Sequence, residues 1–470
     1  MEINPKTYEA YKLFHEGILA FCRAEQQGFR INLHYCEVTK NHLTRKIERK
    51  ERKLKESKFY LRWKQVLGSV NINSNPALSI YLYKILKIKP AHTTPTGKGS
   101  TNNEALSALN IPELNILLDI RKLKKLRDTY LDAFIREQVK GYIHPSFNLN
   151  FAVTFRSSSA NPNFQNIPKR DKESMRMVRK ALYPRPGHQL MEVDYSGIEV
   201  RVAAAYHKDP VMLSYIKDPT SDMHGDMAKQ IFMIDDWDRN RPDHKCLRSA
   251  TKNGFVFPQF YGSYYKNNAM VLAGEWGGLA DGKWKKGKGC PLGDGTLSDH
   301  LISKGISSMN KFIDHIKIIE NDFWNNRFKV YQQWKKRHWK GYQKKGYVDS
   351  LTGFRCSGVM GRNEVINYPV QGAASHCLLW SFIELDRVIH EELIDTRIIG
   401  QIHDAIIFDV NPVELEYISK VIKRVTCKDL PKAFKWINVP VDVDAELAGI
   451  DESWSDIRDY DMVKNKFKVS

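Results

Sequence analysis

Two apolar runs that end in a carboxylate constrain this chain more than any other feature. Residues 398–410 read IIGQIHDAIIFDV, in which the runs Ile398–Ile402 and Ala405–Val410 flank the polar pair His403-Asp404. Five or six β-prone residues on each side of a polar step predict a strand hairpin with Asp404 at its tip. A second run, Leu190–Val193 in LMEVDYSGIEVR, ends in Asp194. Two strands that each deliver an aspartate to one end of a sheet can make a shared divalent-cation site, although the two lie 404 − 194 = 210 positions apart. Either aspartate alone is a weak signal, because strand-end aspartates are common turn and cap residues. The pair acquires meaning only from its context.

The chain has 470 residues, too many for one small core and enough for two or three subdomains. Lys+Arg is 73 and Asp+Glu 54, a formal charge of 73 − 54 = +19. Such an excess reads either as a merely soluble basic surface or as the mark of a polyanionic partner bound in a salt-dependent way. The seven cysteines are scattered, odd in number and form no Cys-x-x-Cys. That spacing argues against a disulfide framework or a zinc knuckle and for a reducing compartment. The first residues, MEINPKTYEAYK, hold no apolar signal core, and no stretch approaches the length of a membrane span. A soluble, cytoplasmic protein with no membrane partner is expected.

Residues 1–35 read as an amphipathic helix followed by a short extended piece, GFRIN. Residues 37–58 form a second helical pattern, with Leu43, Ile47 and Leu54 on one face and a dense Lys/Arg cover opposite. That cover reads either as a solvated face or as a track for phosphates. Asn71–Pro76 is a turn and cap signal, and Thr94–Thr101 a loop. Residues 115–139 are helical again, with Ile120, Leu123, Leu126, Tyr130 and Phe134 at helical spacing. The first third therefore reads as a basic helical arm. Residues 151–170, FAVTFRSSSANPNFQNIPKR, are too polar for core and read as an exposed stretch able to bond sugars and phosphates. A helix is expected over Ile198–His207, then a helical region to about residue 340. The glycine- and lysine-rich insert Gly274–Gly295 within it predicts a mobile loop, a candidate contact for single-stranded template. Residues 363–390 predict a helix, and Val439–Ala445 a late strand completing the sheet.

The segment RSATKNGFVFPQFYG, residues 248–262, supplies the context. Arg248 and Lys252 are four apart and share a helix face, where they can grip a triphosphate by charge and forked hydrogen bonds. Phe255, Phe257, Phe260 and Tyr261 follow and offer flat surfaces to a base. Ordinary amphipathic packing is the plainer reading of the same pattern.

Five motifs in order resemble those of family A DNA polymerases, the group that includes bacterial DNA polymerase I and many phage replicases. TFRSSSANPNFQNIPKR resembles T-G-R-L-S-S-x-x-P-N-L-Q-N-I-P, and DYSGIEVR resembles motif A, D-Y-S-Q-I-E-L-R. Residues 248–262 resemble motif B, R-x-x-x-K-x-x-x-F-x-x-x-Y-G; NYPVQGAA resembles N-x-P-[IV]-Q-G-T-A; and QIHDA resembles motif C, V-H-D-E. NINSNPAL, TPTGKGST, RKLKKLRDTYLD and GYVDSLTGFR have family counterparts in the same order.

The resemblance implies an α+β right-hand polymerase fold with an antiparallel-sheet palm, helical fingers and a helical thumb. Residues 1–35, 151–207 and 363–470 would form the palm, 36–150 the thumb and 208–362 the fingers. It implies a phage- or viral-type DNA polymerase, a monomer that takes primer–template DNA and deoxynucleoside triphosphates. It also implies two Mg²⁺ ions, with Mn²⁺ as a substitute. So little chain precedes the matched motifs that no 3′→5′ exonuclease domain is expected; proofreading, like any processivity factor, would be separate. Asp194, Asp404 and the Tyr195 carbonyl match the metal ligands. Glu199, helped by Tyr261, matches the residue that blocks a ribose 2′-hydroxyl. His224, Arg248 and Lys252 match triphosphate contacts, with Lys252 also a proton donor to pyrophosphate. Arg156, Asn163, Gln165, Asn166, Asn367, Gln371 and His403 match residues around the primer terminus and the nascent pair.

Three departures stand out. Ala405 replaces the glutamate of motif C, which removes a supporting carboxylate and implies weaker metal use. Gly197 replaces glutamine in motif A and is expected to loosen the following helix start. Motif B carries one extra residue: Tyr261 lies nine after Lys252, against the family's eight. Phe257 keeps the step of four to Tyr261 and is assigned the base-stacking role, with Phe255 second, and the extra residue beside Pro258 predicts a bulge or kink. Two other functions compete. A catalytically weak primer–template-binding factor is motivated by Ala405, and Glu199 argues against an RNA-synthesising relative.

Overall fold

The computed structural model of the protein describes residues 2–68, 70–90, 93–94, 97–168, 171–275 and 290–468. The insert expected to be mobile lies outside the described residues over 276–289. At its edges, the helix Tyr265–Glu275 runs into it, and Pro291–Leu292 pairs with Gly295–Thr296 as chain leaves it.

A six-stranded antiparallel sheet lies at the centre. Its order is Arg397–Ile402, Ala405–Val410, Gln189–Tyr195, Val443–Leu447, Arg458–Asp461 and Lys466–Phe467. The expected hairpin is its first two strands, joined by His403-Asp404. Side chains alternate across a strand. Thus Ile406 and Phe408 enter one core with Met191 and Val193, while Ile407 enters the other with Leu190 and Ile399. Both faces are covered, which is why the sequence shows unbroken apolar runs instead of alternation.

The helical arm covers one face. Leu33–Lys55 packs Cys36, Leu43, Ile47 and Leu54 against Leu114, Leu117 and Ile120 of Pro112–Lys124. The helix expected over 115–139 continues through a π-helical turn, Lys125–Leu131, into Asp132–Glu137. Part of its lysine cover is matched by acids: Lys124 pairs with Glu51 at 2.7 Å and Lys50 with Asp119 at 2.6 Å. Such pairs each contribute about 0–1 kcal/mol. The helices Tyr8–Gln27, Ile198–His207 and Arg362–Glu391, with the helical block up to Lys345, cover the other face. Gly372 in the Arg362–Glu391 helix lets the 151–157 loop press close: a Cβ there would stand 2.9 Å from the Phe155 ring and 3.0 Å from the Thr154 carbonyl.

The structure corrects four sequence expectations. The polar stretch, described over residues 151–168, is anchored in core by Phe155 and Phe164, both fully buried, while Phe151 and Val153 stay exposed. Gly197 has φ +62°, the left-handed region that glycine enters without strain, so it suits the start of Ile198–His207 instead of loosening it. The late strand is Val443–Leu447, not Val439–Ala445. Val439 and Val441 keep the buried alternation, but Pro440 between them lacks an N–H for a ladder. Arg458–Asp461 and, at the edge, Lys466–Phe467 extend the sheet beyond it; their charged residues break any apolar rhythm, and charge suits the edge strand. All seven cysteines are free. Among the described residues no helix is long and apolar enough to cross a membrane.

Candidate active site

Sheet register brings the two aspartates together. Ala405 pairs with Asp194 across adjacent strands, and the Tyr195 N–H donates to the Asp404 carbonyl at 3.2 Å. Asp194 and Asp404 both line a cavity of about 480 Å³. His403 takes φ +52°, a left-handed conformation uncommon outside glycine that closes the two-residue turn. The 151–168 loop clamps this turn. His403 N–H donates to Gln165 Oε1 at 2.7 Å, Gln401 Nε2 donates to the His403 carbonyl at 2.8 Å, and Ser157 Oγ donates to Gln401 Oε1 at 2.6 Å.

Glu199, in the first turn of Ile198–His207, is held from two sides: Arg156 pairs with its carboxylate and the Tyr261 hydroxyl donates to it. Asn367 Nδ2 donates to the Tyr261 carbonyl at 3.1 Å. Burial pushes the Tyr261 hydroxyl pKa up, against Arg156 and with Asp404, so Tyr261 stays a donor at neutral pH. Four separate segments thus meet on one carboxylate and one ring. Arg156, Glu199, Tyr261, Asn367, Gln371 and His403 all line the cavity.

The helix carrying Arg248 shows the expected irregularity. Pro242–Thr251 passes into a π-helical turn, Lys252–Val256, and resumes as Phe257–Phe260; the Phe257 N–H reaches back five residues to the Lys252 carbonyl. A π-turn takes up one extra residue. Lys252, Phe257 and Tyr261 therefore all line the cavity, with the Lys252 ammonium 5.3 Å from the Phe257 ring centroid. Phe255 instead is fully buried against Phe323, ring centroids 5.4 Å apart, which removes it as the alternative stacking residue.

His224 and Arg248 sit beside this group but outside the cavity lining. The Arg248 Nε donates to both Asp222 oxygens, at 2.7 and 2.9 Å, and against the cost of burial this holds the Asp222 carboxyl below its usual range. His224 meets the Phe257 ring edge-on, centroids 5.7 Å apart. Burial, then Arg248 and Lys252, push it down to about 4, so it is neutral at pH 7. Asn163 and Asn166 lie outside the lining too; both are exposed, and the Asn166 carbonyl accepts from the buried Tyr130.

The donor set suits a hard cation. The Tyr195 ring is buried with its hydroxyl 2.6 Å from Ser381 Oγ, which leaves the backbone of Tyr195 for the cavity beside the two aspartates. Carboxylate and carbonyl oxygens are Mg²⁺ ligands. Among the described residues no group of three or more His, Cys, Asp or Glu is placed to hold a metal ion. On the side of Asp194 away from Ala405, Asp444 pairs in register and accepts from Ser196 Oγ at 2.6 Å. Neither Asp444 nor Gln401 stands out in the sequence, Gln401 being a lone amide inside an apolar strand.

The profile of "DNA polymerase family A" matches residues 35–272 and 317–456. The chain is 27% identical to DNA polymerase I of Aquifex aeolicus over 439 residues, 92% of this chain and 65% of that protein. It is 26% identical to DNA polymerase I of Chloroflexus aurantiacus over 466 residues, 95% of this chain and 43% of that one. These relatives are bacterial, and the chain spans about half of their length. The fold is that of the POL domain of Pol1 from M. smegmatis, solved in complex with DNA primer-template and dNTP: TM-score 0.70 at 22% identity, over 94% of this chain and 70% of the other. The architecture is the α+β right-hand fold of that domain, and the chain belongs to DNA polymerase family A.

Proposed function

We propose that this chain is a template-directed DNA polymerase that adds deoxynucleotides to a primer 3′-hydroxyl and releases pyrophosphate. The observation that carries the reading is the meeting of Asp194 and Asp404 in one cavity with Lys252, Phe257, Tyr261 and Glu199. Residues 1–35, 151–207 and 363–470 act as palm, 36–150 as thumb and 208–362 as fingers. The ligands are primer–template DNA and deoxynucleoside triphosphates, as in the solved relative. The +19 charge suits that polyanion. The reading is of a cytoplasmic monomer, with proofreading assigned to no part of residues 1–470; if the source is a phage, the location is the host cytoplasm.

Asp194, Asp404 and the Tyr195 carbonyl would hold two Mg²⁺ ions, or Mn²⁺ in their place, which when bound supply positive charge to the attacking and leaving oxygens. The chain's residues do the positioning. Lys252 grips the triphosphate and gives a proton to departing pyrophosphate, with Arg248 and His224 as further phosphate contacts. Phe257 stacks on the incoming base. Glu199, braced by Arg156 and Tyr261, closes the space that a ribose 2′-hydroxyl would need. Arg156, Asn163, Gln165, Asn166, Asn367, Gln371 and His403 address the primer end and the nascent pair. Holding the reactants in line supplies much of the rate.

Primer extension with Mg²⁺ tests the reading. The parent extends a matched primer, and Asp194→Ala loses about 10³-fold or more of that activity; equal extension by both ends the assignment. Ala405, which stands where a carboxylate would flank Asp194, favours one other reading, a primer–template-binding factor with weak catalysis. Tight DNA binding without incorporation under either metal is the result that selects it.

A further inference from the structure

A buried lysine braces the end of the helix that carries Phe257 and Tyr261. Lys335, on the Lys329–Lys345 helix, is 6% exposed. Its ammonium lies 3.7 Å from the Trp324 ring centroid and 5.4 Å from that of Tyr331, and donates to the Gln259 carbonyl at 3.4 Å. Gln259, 1% exposed, is held at both ends of its side-chain amide: Trp324 Nε1 donates to Oε1 at 2.6 Å, and Nε2 donates to the Glu320 carboxylate. Gln259 belongs to the short helix Phe257–Phe260, two residues before Tyr261.

The Gln259 carbonyl already accepts a turn hydrogen bond from the Gly262 N–H at 3.2 Å, and its second lone pair, at a helix end that carries partial negative charge, is left for the ammonium. An ammonium bonded there is matched both in hydrogen bonding and in charge. Burying a lysine among aromatic rings is costly, and an apolar side chain of similar volume is often neutral or stabilising in such a place. Stability alone therefore does not account for Lys335.

We propose that Lys335 is a positioning residue: through the Gln259 carbonyl its ammonium fixes the end of the helix, so that Tyr261 stays bonded to Glu199. Three charged or titratable side chains face it besides the Tyr331 ring. Glu320 comes from Met309–Asp322, Arg362 from the start of Arg362–Glu391, and His207, kept neutral by burial, from Ile198–His207. Burial and then Arg362 push the Lys335 pKa down to about 7, against the pull of Glu320. The brace is thus charged on the acid side of neutrality and uncharged on the alkaline side, where the hydrogen bond loses its charge assistance. The consequence for nucleotide choice rests on the polymerase reading; the consequence for the helix does not.

Hydrogen exchange over residues 255–262, with deoxy- and ribonucleotide incorporation in parallel, tests this on the full chain. Lys335→Met should keep its circular dichroism and melt no earlier than the parent. Its exchange should be about tenfold faster over 257–262, and its discrimination against ribonucleotides about tenfold lower. Lys335→Arg should restore both. In the parent alone, protection of this segment, corrected for intrinsic rates, should fall between about pH 6 and about pH 8.5, and in Lys335→Met it should not. Unchanged protection in Lys335→Met overturns the brace, and a parent whose protection ignores pH overturns its dependence on the charge of the ammonium. Faster exchange with unchanged sugar discrimination in an active enzyme overturns the link to Tyr261 and Glu199. Faster exchange in a chain that extends no primer upholds the brace and counts against the polymerase reading instead.

Discussion

Ala405 and Asp194 stand directly opposite one another on adjacent antiparallel strands, so residue 405, like Asp444 on the other side, is a position from which a second side chain would reach the Asp194 carboxylate. Ala405→Glu places like charges across that pair, which is destabilising without a counter-ion. The variant should melt below the parent in chelator and gain more from added Mg²⁺. Its primer extension should also reach half-maximum at a severalfold lower Mg²⁺ concentration. Melting and extension titrated against Mg²⁺ check both, and identical titrations would remove position 405 from the metal argument.

Glu199 is the junction of Arg156 and Tyr261. Glu199→Ala should raise ribonucleotide incorporation relative to deoxynucleotide by about tenfold or more. Tyr261→Phe, which loses only the hydroxyl, should move the same ratio less. Competition assays with paired nucleotides read the effect, and an unmoved ratio in both variants removes Glu199 as the sugar gate.

Gly372 sits where the loop carrying Arg156 meets the Arg362–Glu391 helix. Gly372→Ala forces a methyl against the Phe155 ring and the Thr154 carbonyl, an overpacking that costs about 1–3 kcal/mol. Because Arg156 is the next residue after Phe155, incorporation should fall further than stability predicts. Denaturant midpoints beside steady-state kinetics separate the two effects.

Acid should unfold the protein through its buried histidines. His207 and His376 are pushed down to about 3, mainly by burial, and His224 to about 4. Each is neutral in the fold but takes a proton in the unfolded chain below about 6.5. The unfolded state therefore binds more protons between about pH 6.5 and 3, and stability complete above 6.5 is lost as pH falls, by about 1.4 kcal/mol per unit per group. Lys335 has the same sign in a higher window, from about 7 up to the unfolded value near 10.4, because global unfolding, unlike a local opening of 257–262 that leaves the amine buried, exposes it to water. Melting temperature followed against pH should rise through both windows. His376→Gln, whose amide can still hydrogen-bond Thr352 in either direction, should flatten the lower one and Lys335→Met the upper.

What was legible in the sequence was what local pattern controls. The hairpin, the Asp194 strand and Ile198–His207 follow from apolar runs, and the extra residue before Tyr261 announced a distortion that the π-turn supplies. Less legible was what distant partners decide. Phe155 looks exposed in a polar stretch until the Arg362–Glu391 helix covers it, and Gln259, Glu320 and Lys335 are unremarkable polar residues until three helices bring them together. Arg458–Asp461 has no apolar rhythm, so only its pairing with Val443–Leu447 makes it a strand.

The turn at Lys252–Val256 has a consequence for how such a chain can vary in length. Each residue added to a regular helix rotates everything after it by about 100°. Here the added residue is confined to a single widened loop of backbone, and the ring of Phe257 stands 5.3 Å from the Lys252 ammonium. The helical phase downstream is reset, so a change in residue count leaves the surface offered to the cavity unchanged.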